Sequence, residues 1–122
     1  MGLEGVVKTL KVVLNEFFVN KPREYGDYVR AVESTIPRGF KFKPRAGSIV
    51  AQGSDFSFGR VYREHSIDHV YPNIDSRVIV IRWYGWIVEV GSTRVMIMES
   101  YHTDILDKSI ALAEVGDKAS TG

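Results

Sequence analysis

The chain has 122 residues, of which 44% are hydrophobic and 25% charged, with no cysteine and a formal net charge of +1. This length and composition predict one globular domain and exclude intrinsic disorder, while the lack of cysteine excludes disulfides, thiolate metal sites and cysteine nucleophiles. Since the chain has no secretory signal pattern and no apolar run approaching the roughly 20 residues of a membrane span, we expect a cytoplasmic protein without a membrane partner.

Two helices are predicted at the start of the chain. Apolar residues recur at three- and four-residue spacing from Leu3 to Phe18, which is typical of an amphipathic helix. Pro22 suits the first turn of a second helix, which Pro37 and Gly39 end. The predicted buried stripe of this second helix consists of Tyr25, Val29, Val32 and Ile36. Because the connection is short, we expect the two helices to form an antiparallel pair.

Short strands are predicted after the helices. The first two cover Ser48–Gln52 and Phe56–Arg63, and the polar segment Glu64–Ser76 predicts a loop. A further strand begins at Arg77, where the consecutive apolar residues 78–81 indicate a central strand covered on both faces.

The last two predicted strands, Trp86–Val90 and Arg94–Met98, flank the turn Gly91-Ser92, whose glycine-first order favours a two-residue hairpin. This hairpin aligns four cross-strand pairs, one of them oppositely charged. The pairs are Val90 with Thr93, Glu89 with Arg94, Val88 with Val95, and Trp86 with Ile97.

Thr103 is a suitable N-cap for a final helix that ends at Gly116, and residues 117–122 are expected to be a frayed tail. The predicted fold is therefore a single α+β domain over residues 1–116. It combines the N-terminal antiparallel helix pair, an antiparallel meandering sheet of about five strands and a C-terminal helix packed on the sheet.

The positive charge is concentrated in one part of the chain. Residues 1–63 hold 11 Lys and Arg against 6 Asp and Glu, whereas residues 64–122 hold 5 against 9. Cations interleaved with aromatic rings can contact phosphates and stack on bases, so our leading hypothesis is a nucleic-acid-binding protein. The candidate residues are Arg38, Phe40, Lys41, Lys43, Arg45, Arg60 and Arg63. The alternative is a half-buried strand whose aromatic residues face the core while its cations face water.

A second hypothesis concerns the segment 64–72, which carries His65 and His69. Residues 67–72, Ile-Asp-His-Val-Tyr-Pro, resemble the Asp-His-aliphatic-x-Pro core of the HNH nucleases. The resemblance implies a metal-dependent nuclease in which His69 is the general base and Asp68 helps to hold the metal. The alternative is a polar loop with hydrogen-bonded histidines. The sequence contains no glycine-rich phosphate loop or other cofactor motif, so no cofactor is expected.

A third hypothesis is a protein-interaction module without catalysis, because aromatic and methionine side chains cluster around the predicted hairpin. Such residues are enriched at the centres of protein interfaces, and helices on one face of the sheet would leave the second apolar stripe uncovered. We therefore expect a homodimer. The predicted interface residues are Trp83, Tyr84, Trp86, Met96 and Met98.

Overall fold

The computed structural model describes residues 2–20, 23–52, 58–70 and 76–110. Within these residues, two helices precede four strands. They are α1 (Leu3–Asn20), α2 (Tyr25–Thr35), β1 (Phe40–Gln52), β2 (Phe58–His69), β3 (Arg77–Val90) and β4 (Thr93–Asp107). The strands lie in the order β1-β2-β3-β4, and each is antiparallel to its neighbours, so the sheet is the predicted meander.

Both predicted helices are confirmed. α1 buries the face formed by Leu3, Val6, Leu10 and Leu14. In α2 the completely buried residues are Tyr28 and Val32, whereas the rest of the predicted stripe is only half-buried. The ring of Tyr28 stacks on that of Phe18 at a centroid distance of 4.4 Å, which joins the two helices. Neither described helix is long and apolar enough to cross a membrane.

The helices pack mainly against β3 and β4, and we call the covered side of the sheet the helix face. One buried core joins α1 and α2 to the side chains of Ile67, Ile79, Ile81, Trp83 and Met98. Because side chains alternate along a strand, the neighbouring positions point to the opposite side, which we call the outer face. There Val78 and Val80 are buried with Leu106, so the segment 78–81 is covered on both faces as predicted.

The hairpin register is confirmed at all four predicted pairs. Gly91 adopts the left-handed conformation that the turn requires, with φ of +63°. The sheet differs from the prediction in having four strands, because residues 77–90 form one continuous strand rather than two.

Two further predictions are wrong. The segment 64–69, predicted as part of a loop, belongs to β2 and pairs with both β1 and β3. Thr103 does not cap a helix, because β4 continues to Asp107 in register with β3. Only a helical turn at 108–110 follows, and the remainder of the predicted C-terminal helix and the predicted tail at 117–122 lie outside the described residues.

Irregularities in the strands position several side chains. The β1–β2 register shifts between Pro44 and Ala46, and the β3–β4 register shifts between Tyr84 and Gly85. Such bulges insert an extra residue and reverse the inward and outward alternation beyond that point.

Candidate functional site

Three of the predicted nucleic-acid-binding cations lie exposed on the outer face. Lys41 and Lys43 are two residues apart on β1, and Arg60 projects from the same face of β2. Within the described residues, none of the three side chains has a carboxylate at ion-pair distance.

Arg45, by contrast, belongs to a buried charge network. Its side chain is 6% exposed, and its Nη1 lies 3.9 Å from Oε2 of Glu64, which is completely buried. The Glu64 carboxylate also accepts hydrogen bonds from the Tyr62 hydroxyl at 2.5 Å and from Arg82 Nε at 3.1 Å, and Arg82 Nη1 in turn donates to Asp104 at 3.0 Å. Burial and the adjacent carboxylate raise the pKa of Tyr62. These contacts hold Arg45 within the protein.

The remaining predicted contacts do not share the outer face. Arg63 alternates to the helix face of β2, and Phe40 lies on the helix face of β1, where it packs against the core. The Phe40 ring stacks on His69 at a centroid distance of 4.5 Å. Arg38 is exposed in the turn before β1. Residues 40–43 therefore match the alternative interpretation, a half-buried strand whose phenylalanines face the core and whose cations face outward.

The predicted dimer residues are also divided between the two faces. Trp83 and Met98 are completely buried, and Met96 packs against the same core from the helix face. Tyr84, which is 41% exposed, and the half-buried Trp86 lie on the outer face. The homodimer stays a prediction, for which Tyr84 and Trp86 would provide the aromatic surface.

Tyr84 and Trp86 meet Arg60 at one end of the outer face, and we call these three residues the aromatic platform. The Arg60 guanidinium lies 5.5 Å from the centre of the Trp86 ring, within the range of a cation–π contact. Trp86 Nε1 donates to Glu99 at 3.2 Å, and the Tyr84 ring lies 5.3 Å from that of Tyr62. Sequence reasoning placed the cations and the rings in separate hypotheses, although the cross-strand pairing of Arg60 with Trp86 brings them together.

The residues of the nuclease hypothesis diverge. Asp68 and His69 are consecutive on β2 and so point to opposite faces of the sheet. Asp68 forms an ion pair with Lys108 at 3.0 Å, and His69 stacks on a phenylalanine. Across the described residues, no group of three or more histidines and carboxylates is arranged to hold a metal ion.

His65 lies buried on the helix face in contact with aromatic groups. Its Nδ1 lies 2.9 Å from the Tyr25 hydroxyl and accepts a hydrogen bond from Trp83 Nε1 at 3.2 Å, and Phe42 stacks on the ring. An indole N–H can only donate, so Nδ1 carries no proton and Nε2 does. Burial and the positive charge of Arg63 lower the pKa of His65 to about 4, while burial raises the pKa of Tyr25 to about 12.

A cleft of about 540 Å³ opens beside this histidine, between α2 and the bulged part of β1. Arg63 reaches into the same region and lies directly over Gly47. The lining residues are Tyr25, Val29, Pro44, Arg45, Ala46, Arg63, Glu64 and His65.

Comparison of the chain with protein-family models, with curated protein sequences and with solved structures found no match.

Proposed function

We propose that this protein binds single-stranded nucleic acid across its outer face. Bases stack on Tyr84 and Trp86, and phosphates contact Lys41, Lys43 and Arg60. The observation that carries the proposal is that Arg60 meets the Tyr84 and Trp86 rings on the same face that carries Lys41 and Lys43, with these three cations free of ion pairs within the described residues. Single strands favour such surfaces because every base has a face on which a ring can stack.

The charge balance of the outer face supports an anionic ligand. Its carboxylates Glu64, Asp68 and Asp104 each form an ion pair with a basic side chain, so their negative charge is compensated locally, while Glu99 accepts a hydrogen bond from Trp86. Within the described residues, Lys41 and Lys43 have no such ion pairs. A phosphate backbone approaching β1 therefore meets a positive potential.

The spacing of the rings also suits a strand of stacked bases. Tyr84 and Trp86 are two residues apart on β3, so they share a face at a separation of roughly 6.5 Å. Arg60 lies directly across from Trp86 on β2, where it can reach a phosphate beside a stacked base. Each stacked base contributes about 1–3 kcal/mol in proteins that bind single strands.

The test is fluorescence anisotropy of labelled single- and double-stranded oligonucleotides, DNA and RNA, over a range of salt concentrations. Three phosphate contacts predict a log–log salt slope of about −2 for single strands. Lys43→Gln should make that slope shallower by about 0.7, and Trp86→Ala should weaken binding by roughly 1–3 kcal/mol. Lys8→Gln, an exposed cation on α1, is the matched control and should change neither quantity.

Two results would contradict the binding surface as a whole, and a third would contradict its stacking role. One is no binding to any oligonucleotide at low salt, in which case the aromatic platform would be a protein-interaction surface. The other is binding that Lys8→Gln weakens as much as Lys43→Gln, since the contacts would then be spread over the whole molecule. A preference for duplex with no effect of Trp86→Ala would remove the stacking role.

A further inference from the structure

The cleft beside His65 lies on the side of the sheet opposite the aromatic platform and has no role in the proposed function. It forms where the helices, which pack mainly on β3 and β4, leave part of the helix face of β1 and β2 uncovered. Its volume of about 540 Å³ falls within the usual range of small-molecule sites. Val29 and Pro44 provide apolar wall, and the polar groups come from α2 and β2.

Arg63 is the most informative residue of this cleft. Its Nε is buried with no hydrogen-bond partner, and within the described residues the side chain forms no ion pair. A Cβ on residue 47 would lie 2.5 Å from Arg63 Nη1 and 2.7 Å from its Cδ, so a larger residue there would displace the Arg63 side chain. Among the described residues, this cation at the cleft has no ion-pair partner.

Two further polar residues line the same space. Tyr25 contributes from α2 and His65 from β2, with the Tyr25 hydroxyl 2.9 Å from His65 Nδ1 and 3.3 Å from Nε2. Among the described residues that line the cleft, Glu64 is the acidic one, and its carboxylate points to the outer face, where it accepts hydrogen bonds from Tyr62 and Arg82. A guanidinium offers several N–H donors and a phenol one more, which suits a tetrahedral oxyanion with three terminal oxygens better than a planar carboxylate.

We propose that this cleft binds a small phosphomonoester, whose phosphate contacts Arg63 and whose organic part lies against Val29 and Pro44. The positive charge of Arg63 contributes to the low pKa of His65. A bound phosphate neutralises that charge, so occupancy should also raise the pKa of His65. This proposal does not depend on nucleic-acid binding by the outer face.

The two tryptophans of the chain allow the two sites to be observed separately. The Trp83 indole N–H bonds to His65 at the cleft, whereas that of Trp86 bonds to Glu99 on the outer face. Ribose 5-phosphate should be titrated into ¹⁵N-labelled protein, with ribose as the matched ligand control and acetate as the carboxylate control. We expect a saturable shift of the Trp83 indole signal, no shift of the Trp86 signal, and little response to ribose or acetate.

Variants test the role of the guanidinium. Arg63→Gln should weaken ribose 5-phosphate binding roughly tenfold or more, because it removes a charge-assisted contact. Gly47→Ala should have a similar effect by displacing the guanidinium while its charge remains, and it serves as the test if Arg63→Gln does not fold. Lys8→Gln, at an exposed cation on α1, is the control and should leave the affinity unchanged.

The proposal is overturned if ribose 5-phosphate leaves the Trp83 signal unmoved, or if both Arg63→Gln and Gly47→Ala bind as the wild type does. An equal response to ribose or acetate would equally remove the phosphate role. An oligonucleotide that shifts only the Trp86 signal would support the proposed function alone, so the two proposals can fail independently.

Discussion

Gly85 offers a sharp test of the packing between β3 and β4, because the bulge there brings the strands too close for any side chain. A Cβ at this position would lie 2.1 Å from the carbonyl oxygen of Ile97 and 2.8 Å from Cα of Met98. Close carbon–oxygen contacts are normally about 3.3 Å or longer, so Gly85→Ala must move the β4 backbone by roughly 1 Å. Overpacking of this kind costs up to about 3 kcal/mol, and the lower chain entropy of unfolded alanine offsets roughly 0.4–1 kcal/mol.

We therefore expect Gly85→Ala to lose about 2 kcal/mol from a free energy of unfolding in the usual range of roughly 5–15 kcal/mol. Urea unfolding followed by circular dichroism measures this loss, which corresponds to a fall of about 1 M in the midpoint. Since Gly85 separates Tyr84 from Trp86, oligonucleotide binding should weaken in the same variant.

Gly91 provides the matched control, because its φ of +63° requires glycine while nothing lies within 4 Å of a Cβ built there. Gly91→Ala should cost roughly 1 kcal/mol, and Gly91→Asn should recover much of it, because asparagine tolerates the left-handed conformation. Gly85→Asn should recover nothing. If Gly85→Ala lost less than about 0.5 kcal/mol, or less than Gly91→Ala, the close approach of the two strands would be refuted.

Two further predictions concern buried ionisable groups. The pKa of His65 is about 4 in the folded protein, against an ordinary value of 6.5 for histidine. Because the unfolded chain therefore binds the proton at a higher pH than the folded protein, the free energy of unfolding should fall by about 1–3 kcal/mol between pH 6.5 and 4. Urea titrations should show that His65→Gln removes this loss, whereas His102→Gln, at an exposed side chain, does not. If wild type and His65→Gln had the same pH dependence, His65 would not be the cause of the loss. Glu64→Gln should destabilise by about 3–5 kcal/mol in the same assay, because it leaves Arg45 buried beside a neutral group. Glu4→Gln, at an exposed ion pair, is the control and should cost less than about 1 kcal/mol. If Glu64→Gln and Glu4→Gln lost the same free energy of unfolding, the buried network would stabilise the fold no more than an exposed ion pair does.

The elements that sequence predicted well depend on local signals. The hairpin was placed in its observed register because Gly91 fixes the turn and the Glu89–Arg94 pair lies three residues or fewer from it. The first helix was equally clear from its apolar spacing. In both cases the information lies within a single short segment of the chain.

The polar segment 64–69 could not be predicted as a strand, because its stability depends on distant partners. Glu64 is held by Arg82, His65 by Tyr25 and Trp83, and Asp68 by Lys108. The partners of Glu64 and His65 lie 18 to 40 residues away along the chain, so no local sequence pattern reveals them. Polar composition alone favoured a loop, and long-range pairing decided otherwise.

Both candidate sites depend on bulges, which a strict two-residue alternation cannot predict. In β4, Glu99 is the extra residue of the bulge, so Met98 points into the core and Ile97 pairs with Trp86. With regular alternation from Tyr101, Glu99 would point into the core instead. In β1 the shift after Pro44 places Gly47 across from Arg63 on the helix face, whereas regular pairing would place it on the outer face.

Each bulge lies close to a glycine whose missing side chain is needed, Gly47 for a guanidinium and Gly85 for a neighbouring strand. An isolated glycine within a strand pattern is the sequence signal for such a place. These two glycines mark the cleft and the aromatic platform, since each feature requires a local departure from regular pairing. The substitutions Gly47→Ala and Gly85→Ala therefore test the two sites through their backbone, without removing any group proposed to contact a ligand.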